Sequence, residues 1–95
     1  MSQFTVRIEL HEAQWADYEG LHAAMQCQGF SRQITGDNGL TYQMPWAEYN
    51  AAANLSSLEV LGIAERAADS TGKKNSVLVT ESKSRAWRGL PVAKD

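Results

Sequence analysis

Ninety-five residues, 43% hydrophobic and 21% charged, suffice for one domain with a core of its own and exclude a disordered chain. No apolar run approaches the roughly 18–20 residues a membrane span needs, and Met1-Ser2-Gln3 lacks the basic and apolar parts of a secretory signal. Cys27 is the single cysteine, so no internal disulfide forms, and the expectation is one cytoplasmic domain over residues 1–95 with no membrane partner.

The net charge of −2 conceals a split. Residues 1–72 carry nine acidic and three basic side chains, whereas 73–95 carry six basic ones (Lys73, Lys74, Lys83, Arg85, Arg88, Lys94) and two acidic. A basic end of this kind marks either a nucleic-acid contact or a solvated tail.

From Phe4 to Leu10 the chain alternates strictly, Phe4, Val6, Ile8 and Leu10 on one side and Thr5, Arg7 and Glu9 on the other. That is the pattern of a half-buried strand. Trp15, Tyr18, Leu21 or His22, and Met25 then recur at helical spacing, with Ala24 and Cys27 on the same side, and Gly29 followed by Phe30 closes the helix. Phe30–Thr35 and Leu40–Met44 read as two short strands joined by "GDNGL", where Asn38-Gly39 suits a tight hairpin turn. Pro45 ends the second run, and "WAEYNAAAN" reads as a linker.

Ser56 and Glu59 form a capping box that opens a second helix. Its narrow face is Leu61, Ala64, Ala67 or Ala68, and Thr71, and Gly72 ends it. "SVLVTES" (76–82) is a β-branched strand, and residues 82–95 form a basic C-terminal edge strand or tail. The order is βαββαβ. Two split βαβ units with right-handed crossovers predict an α+β, ferredoxin-like sandwich: one four-stranded antiparallel sheet carrying both helices on one face.

Such a fold hosts many functions and licenses none alone. The glycines sit at helix ends and in the hairpin, so no phosphate loop is formed. His11-Glu12 is not part of an H-E-x-x-H motif, and there is neither a cysteine pair for zinc nor a G-x-S-x-G elbow. An RNA-recognition module would need aromatics on the open sheet face, and the third run offers only Tyr42.

Three features remain. Glu9, His11 and Glu12 stand where the first strand meets the first helix. The carboxylates could hold a hydrated divalent ion and the histidine could move a proton; equally, the three are a polar strand end, with Glu12 favouring the start of the helix. Arg85, Trp87 and Arg88 could grip single-stranded RNA by stacking and phosphate contact, or Trp87 could cover one end of the core. Arg32 could face a phosphate or simply be solvated. His22, beside Tyr18 on the helix, reads as a packed or half-exposed residue. No resident metal site or cofactor is expected beyond that divalent ion.

In element order the chain resembles the GhoS family, the endoribonuclease antitoxins of type V toxin–antitoxin systems. The resemblance rests on an N-terminal strand with a polar junction, a helix with Tyr18 and Leu21, the "GFSR" start of the second strand, the hairpin and the second helix. Phe30-Ser31 after a helix ending in Met25 is its most specific piece. It implies a bacterial, ferredoxin-like protein, similar to small CRISPR-associated nuclease-like proteins, that cleaves messenger RNA for a membrane toxin. In those CRISPR-associated relatives an aspartate ends the first strand and serves metal-dependent cleavage. Here Glu9 and Glu12 bracket that place with His11 between them.

Two functions from different classes follow. The first is an RNA-binding or mRNA-cleaving antitoxin in which His11 takes the 2′-hydroxyl proton and Arg32 or Arg85 steadies the phosphate. The second is a non-enzymatic interaction module, an adaptor or inhibitor of bacterial or phage origin with a protein partner. A homodimer is expected on fold grounds in either case.

Overall fold

The structure, a computed structural model, describes residues 1–93; Lys94, counted above among the C-terminal basic residues, and Asp95 lie outside the described residues. The elements are β1 (Ser2–Leu10), α1 (Trp15–Cys27), β2 (Gln33–Thr35), β3 (Thr41–Gln43), β4 (Glu48–Ala53), α2 (Ser57–Asp69) and β5 (Asn75–Ser82). The chain is α+β, with two helices and antiparallel sheets.

Alternation in β1 does what its pattern predicts. Phe4, Val6, Ile8 and Leu10 are all buried, packed with Leu21 and Met25 of α1 and with Val60, Ala64, Ala67 and Ala68 of α2. Each large side chain removed from water in this way contributes about 1.5–3 kcal/mol. Both helix ends follow the sequence signals. Phe30 N–H donates to Met25 O and Gly29 N–H to Gln26 O, with Gly29 at φ +89°, which is a Schellman closure. At α2 the Glu59 N–H donates to Ser56 Oγ (3.1 Å) and the Ser56 N–H to Glu59 Oε1 (3.0 Å).

The sheets differ from the expectation of one four-stranded sheet. β1 is central in a three-stranded sheet, β4-β1-β5, and β2-β3 form a separate two-stranded sheet. The strand beside β1 is β4, drawn from the stretch read as a linker, with Val6 opposite Tyr49 and Phe4 opposite Ala51. Phe30–Thr35 is not one continuous strand. Ser31 and Asn50 exchange two backbone hydrogen bonds (2.8 and 2.7 Å), after which Arg32 O turns to accept from Met44 N (2.7 Å). By backbone pairing the hairpin thus joins the main sheet at a single residue pair, with the Asn50 side-chain amide donating to Gln33 O (3.2 Å) beside it.

Other departures are smaller. Val60, not Leu61, leads the buried face of α2. Trp15 and Cys27, counted on the inner face of α1, are exposed. The C-terminal stretch, read as an edge strand or tail, returns against the hairpin rather than the main sheet: Gln43 N–H donates to Pro91 O (2.8 Å) and Ala93 N–H to Thr41 O (2.9 Å), so residues 91–93 run along β3. Ile34 and Met44 are buried outside the main core, beside Thr5, Arg85 and Leu90. The hairpin and the C-terminal stretch therefore cover part of the sheet face opposite the helices.

Candidate nucleic-acid interface

Among the residues singled out from sequence, Glu9 and His11 do converge. β1 pairing continues past its last residue, since His11 N–H donates to Lys74 O (2.8 Å), and this keeps both side chains on one side. His11 Nε2 lies 3.8 Å from Glu9 Oε1 and 3.0 Å from Ser76 Oγ. Both side chains are open to solvent. Glu12 does not join them: it sits in a turn at φ +53°, and its backbone oxygen accepts from Lys73 Nζ (3.4 Å). Asp17, not Glu12, supplies the acid at the start of α1, its carboxylate accepting from Gln14 N–H (2.8 Å). Among the described residues no group of three or more His, Cys, Asp or Glu is placed to hold a metal ion.

Arg85 is committed to the fold. Its guanidinium lies on the sheet face opposite the helices and donates to Asn50 Oδ1 (2.7 Å), Gln3 Oε1 (3.1 Å), Thr5 Oγ1 (3.4 Å) and Phe4 O (3.5 Å). Burial lowers its pKa. Trp87 packs edge-to-face on Tyr42 with ring centroids 5.6 Å apart. Arg88 is exposed.

Arg32 stands elsewhere, in an aromatic corner that sequence reasoning missed. Trp15, Tyr18 and His22 share one side of α1, being three and four residues apart. The turn Pro45–Glu48, closed by Glu48 N–H donating to Pro45 O (3.1 Å), carries Trp46 up to that side. Ala47 follows at φ +66°, a left-handed conformation that costs a non-glycine residue roughly 1 kcal/mol. Trp46 stacks on Trp15 (4.4 Å, 19°), meets His22 edge-on (4.6 Å) and lies beneath the Arg32 guanidinium (4.9 Å). The Trp15 indole N–H donates to Glu19. Trp15 remains 66% exposed and Trp46 41%, so the stack is half outside the protein.

Below the stack, His22 Nδ1 and the hydroxyl of buried Tyr49 share a 2.6 Å hydrogen bond. Burial, reinforced by Arg32 and opposed by Glu19, holds His22 well below its ordinary value, at about 4. Burial also pushes the Tyr49 phenol up. Both groups are therefore neutral near pH 7. Arg32 forms no ion pair among the described residues. Arg32 Nε and His22 Nε2 are buried with no hydrogen-bond partner, and each such atom costs about 1–3 kcal/mol until something satisfies it.

A cavity of about 460 Å³ adjoins these groups, lined by His22, Gln26, Ser31, Arg32, Gln33 and Gln43 among others. The volume lies within the ordinary range of ligand sites, and no carboxylate lines it. The corner thus combines a guanidinium lacking an acid, amide and hydroxyl groups, and exposed indole faces: parts suited to a phosphate, a sugar or base edge, and a stacked base respectively.

No helix among the described residues is long and apolar enough to cross a membrane. In sequence comparisons the chain matches no protein-family model and no curated protein.

Proposed function

We propose that the chain is a ferredoxin-like, GhoS-like protein that binds single-stranded RNA at the aromatic corner. Trp15 presents its outer face to a base, and Arg32 receives the adjacent phosphate. The polar cavity beside Arg32 takes the sugar or base edge. The observation that carries this reading is Arg32 itself, held over Trp46 without an acidic partner and next to a stack that is half exposed. The ferredoxin-like reading is supported by the βαββαβ-like order once β4 takes the third strand position and the Ser31–Asn50 pair marks the second. The acidic surface of residues 1–72 leaves little nonspecific attraction for phosphate, so affinity rests on this one place. Arg88 adds a secondary contact, while Arg85 supports the sheet rather than the ligand.

The test is fluorescence anisotropy of a short, labelled, mixed-sequence RNA titrated with the wild type and with Arg32→Ala and Trp15→Ala. Base stacking is worth about 1–3 kcal/mol per base, so Trp15→Ala should weaken binding by roughly 5- to 150-fold, and Arg32→Ala by about tenfold or more. Equal affinities in all three, or no binding by the wild type at high micromolar concentration, would sink the reading. Gel analysis of the same mixtures reports cleavage separately. Cleavage lost in His11→Ala, with binding retained, would place the chemistry of the GhoS resemblance at Glu9 and His11 and leave the binding assignment intact.

A further inference from the structure

Among the described residues, one edge of the three-stranded sheet pairs with no further strand. β4 gives its outer edge to Ser31, whereas β5 pairs only with β1 among the described residues. The direction of each β5 backbone group follows from two observed bonds. Ile8 N–H donates toward β4, to Ala47 O, and His11 N–H toward β5, to Lys74 O. Since these directions alternate along a strand, the odd residues Gln3 to Glu9 of β1 face β5, and their partners Ser76, Leu78, Thr80 and Ser82 face inward. The N–H and C=O groups of Asn75, Val77, Val79 and Glu81 therefore point outward, unpaired.

Exposed edges are ordinarily guarded by a lysine, a proline or a bulge within the strand. β5 has none of the three between Asn75 and Ser82, its lysines standing outside at 74 and 83, and its one charge is Glu81 near the strand's end. At its middle Leu78 is 63% exposed on the face away from the helices.

We infer that β5 is a self-pairing edge, joining a second copy of this chain antiparallel about a two-fold axis through Leu78. The strand's own pattern selects that copy and that register. An axis passing between residues would pair outward-facing groups with inward-facing ones, which breaks the ladder. Axes through Val77 or Val79 set Leu78 opposite Ser76 or Thr80. With the axis at Leu78, Leu78 meets Leu78 of the second copy and Val77 meets its Val79 twice, so every apolar side chain of the strand has an apolar partner. Asn75 then lies opposite Glu81, no like charges face each other from 75 to 81, and a continuous six-stranded sheet results with all four helices on one side.

Sedimentation equilibrium of the full chain tests the association, and engineered disulfides test the register. The wild type should dimerise in the micromolar to millimolar range, and Leu78→Lys, which sets two ammonium groups at the axis, should weaken the dimer at least tenfold while circular dichroism shows the fold intact. In a Cys27→Ser background, Leu78→Cys should oxidise to a covalent dimer, because facing residues of a non-hydrogen-bonded pair lie about 4.5 Å apart at Cα, within disulfide range. Thr80→Cys should not, its two copies being about 13 Å apart along the strands. A wild type that stays monomeric at millimolar concentration overturns the inference. So does a dimer indifferent to Leu78→Lys, or equal cross-linking at 78 and 80.

Discussion

The join at residues 9–12 and the corner around Trp46 contain similar chemical types, acids and histidines in one and a histidine and arginine in the other, yet their surroundings differ sharply. Glu9 and His11 are open to water, where an ion pair contributes little. At the corner, burial keeps His22 neutral, and Arg32 has its Nε buried and no ion-pair partner among the described residues. The groups adjacent in the sequence stay open to solvent even where Ser76 and Lys73 reach them; those assembled from three distant segments are partly withdrawn from it. Environment, more than residue type, separates the two regions.

That comparison can be broken in order of effect. Tyr49 lies fully buried between the β1 core and the His22 ring, and Tyr49→Ala should cost about 3–5 kcal/mol in urea unfolding. A loss below about 1 kcal/mol would mean the corner is not coupled to the core. Trp15→Ala separates binding from folding: RNA affinity should fall by the stacking term, about 1–3 kcal/mol, while the unfolding midpoint moves little because the side chain is mostly exposed. A midpoint shift with unchanged RNA affinity would make the stack purely structural.

The third effect is a pH dependence. His22 binds its proton near pH 4 in the folded chain against 6.5 ordinarily. Between those values the unfolded chain holds a proton the folded chain lacks, so stability is complete above pH 6.5 and falls as pH drops toward 4. Urea midpoints across that window should decline more steeply in the wild type than in His22→Gln; parallel declines would contradict the burial of that ring. The smallest effects belong to the join. Glu9→Gln, His11→Ala and Glu12→Ala should each stay within about 0.5 kcal/mol of wild-type stability, and a larger loss in any of them would show that the join is part of the framework.

Much of the framework was legible because its signals are local. The alternation of β1, the Ser56–Glu59 box and the Gly29–Phe30 closure each lie within a few residues, and each appears as its pattern requires. β4 was not legible. Glu48–Ala53 is half alanine, with one asparagine and one glutamate, all of weak strand preference, and only its register against β1, some 45 residues away, makes it a strand. Taking it for a linker displaced the hairpin into the main sheet. The corner failed for the same reason: Trp46 sits in that supposed linker, and the partner of His22 is Tyr49, 27 residues away. One sequence-level signal pointed there, the spacing of Trp15, Tyr18 and His22, but it was equally the spacing of an ordinary core face. The exposure of Trp15 distinguishes the two, and exposure is a tertiary fact.

The most direct test of the central claim sets Arg32→Gln beside His11→Gln in one RNA titration at matched salt. The corner as the binding place requires Arg32→Gln to weaken RNA binding about tenfold or more, with a salt dependence reduced by roughly 0.7 in logarithmic slope for the lost phosphate contact. His11→Gln should bind as the wild type does. The reverse pattern, His11→Gln impaired and Arg32→Gln unchanged, would contradict the account and return the function to the join.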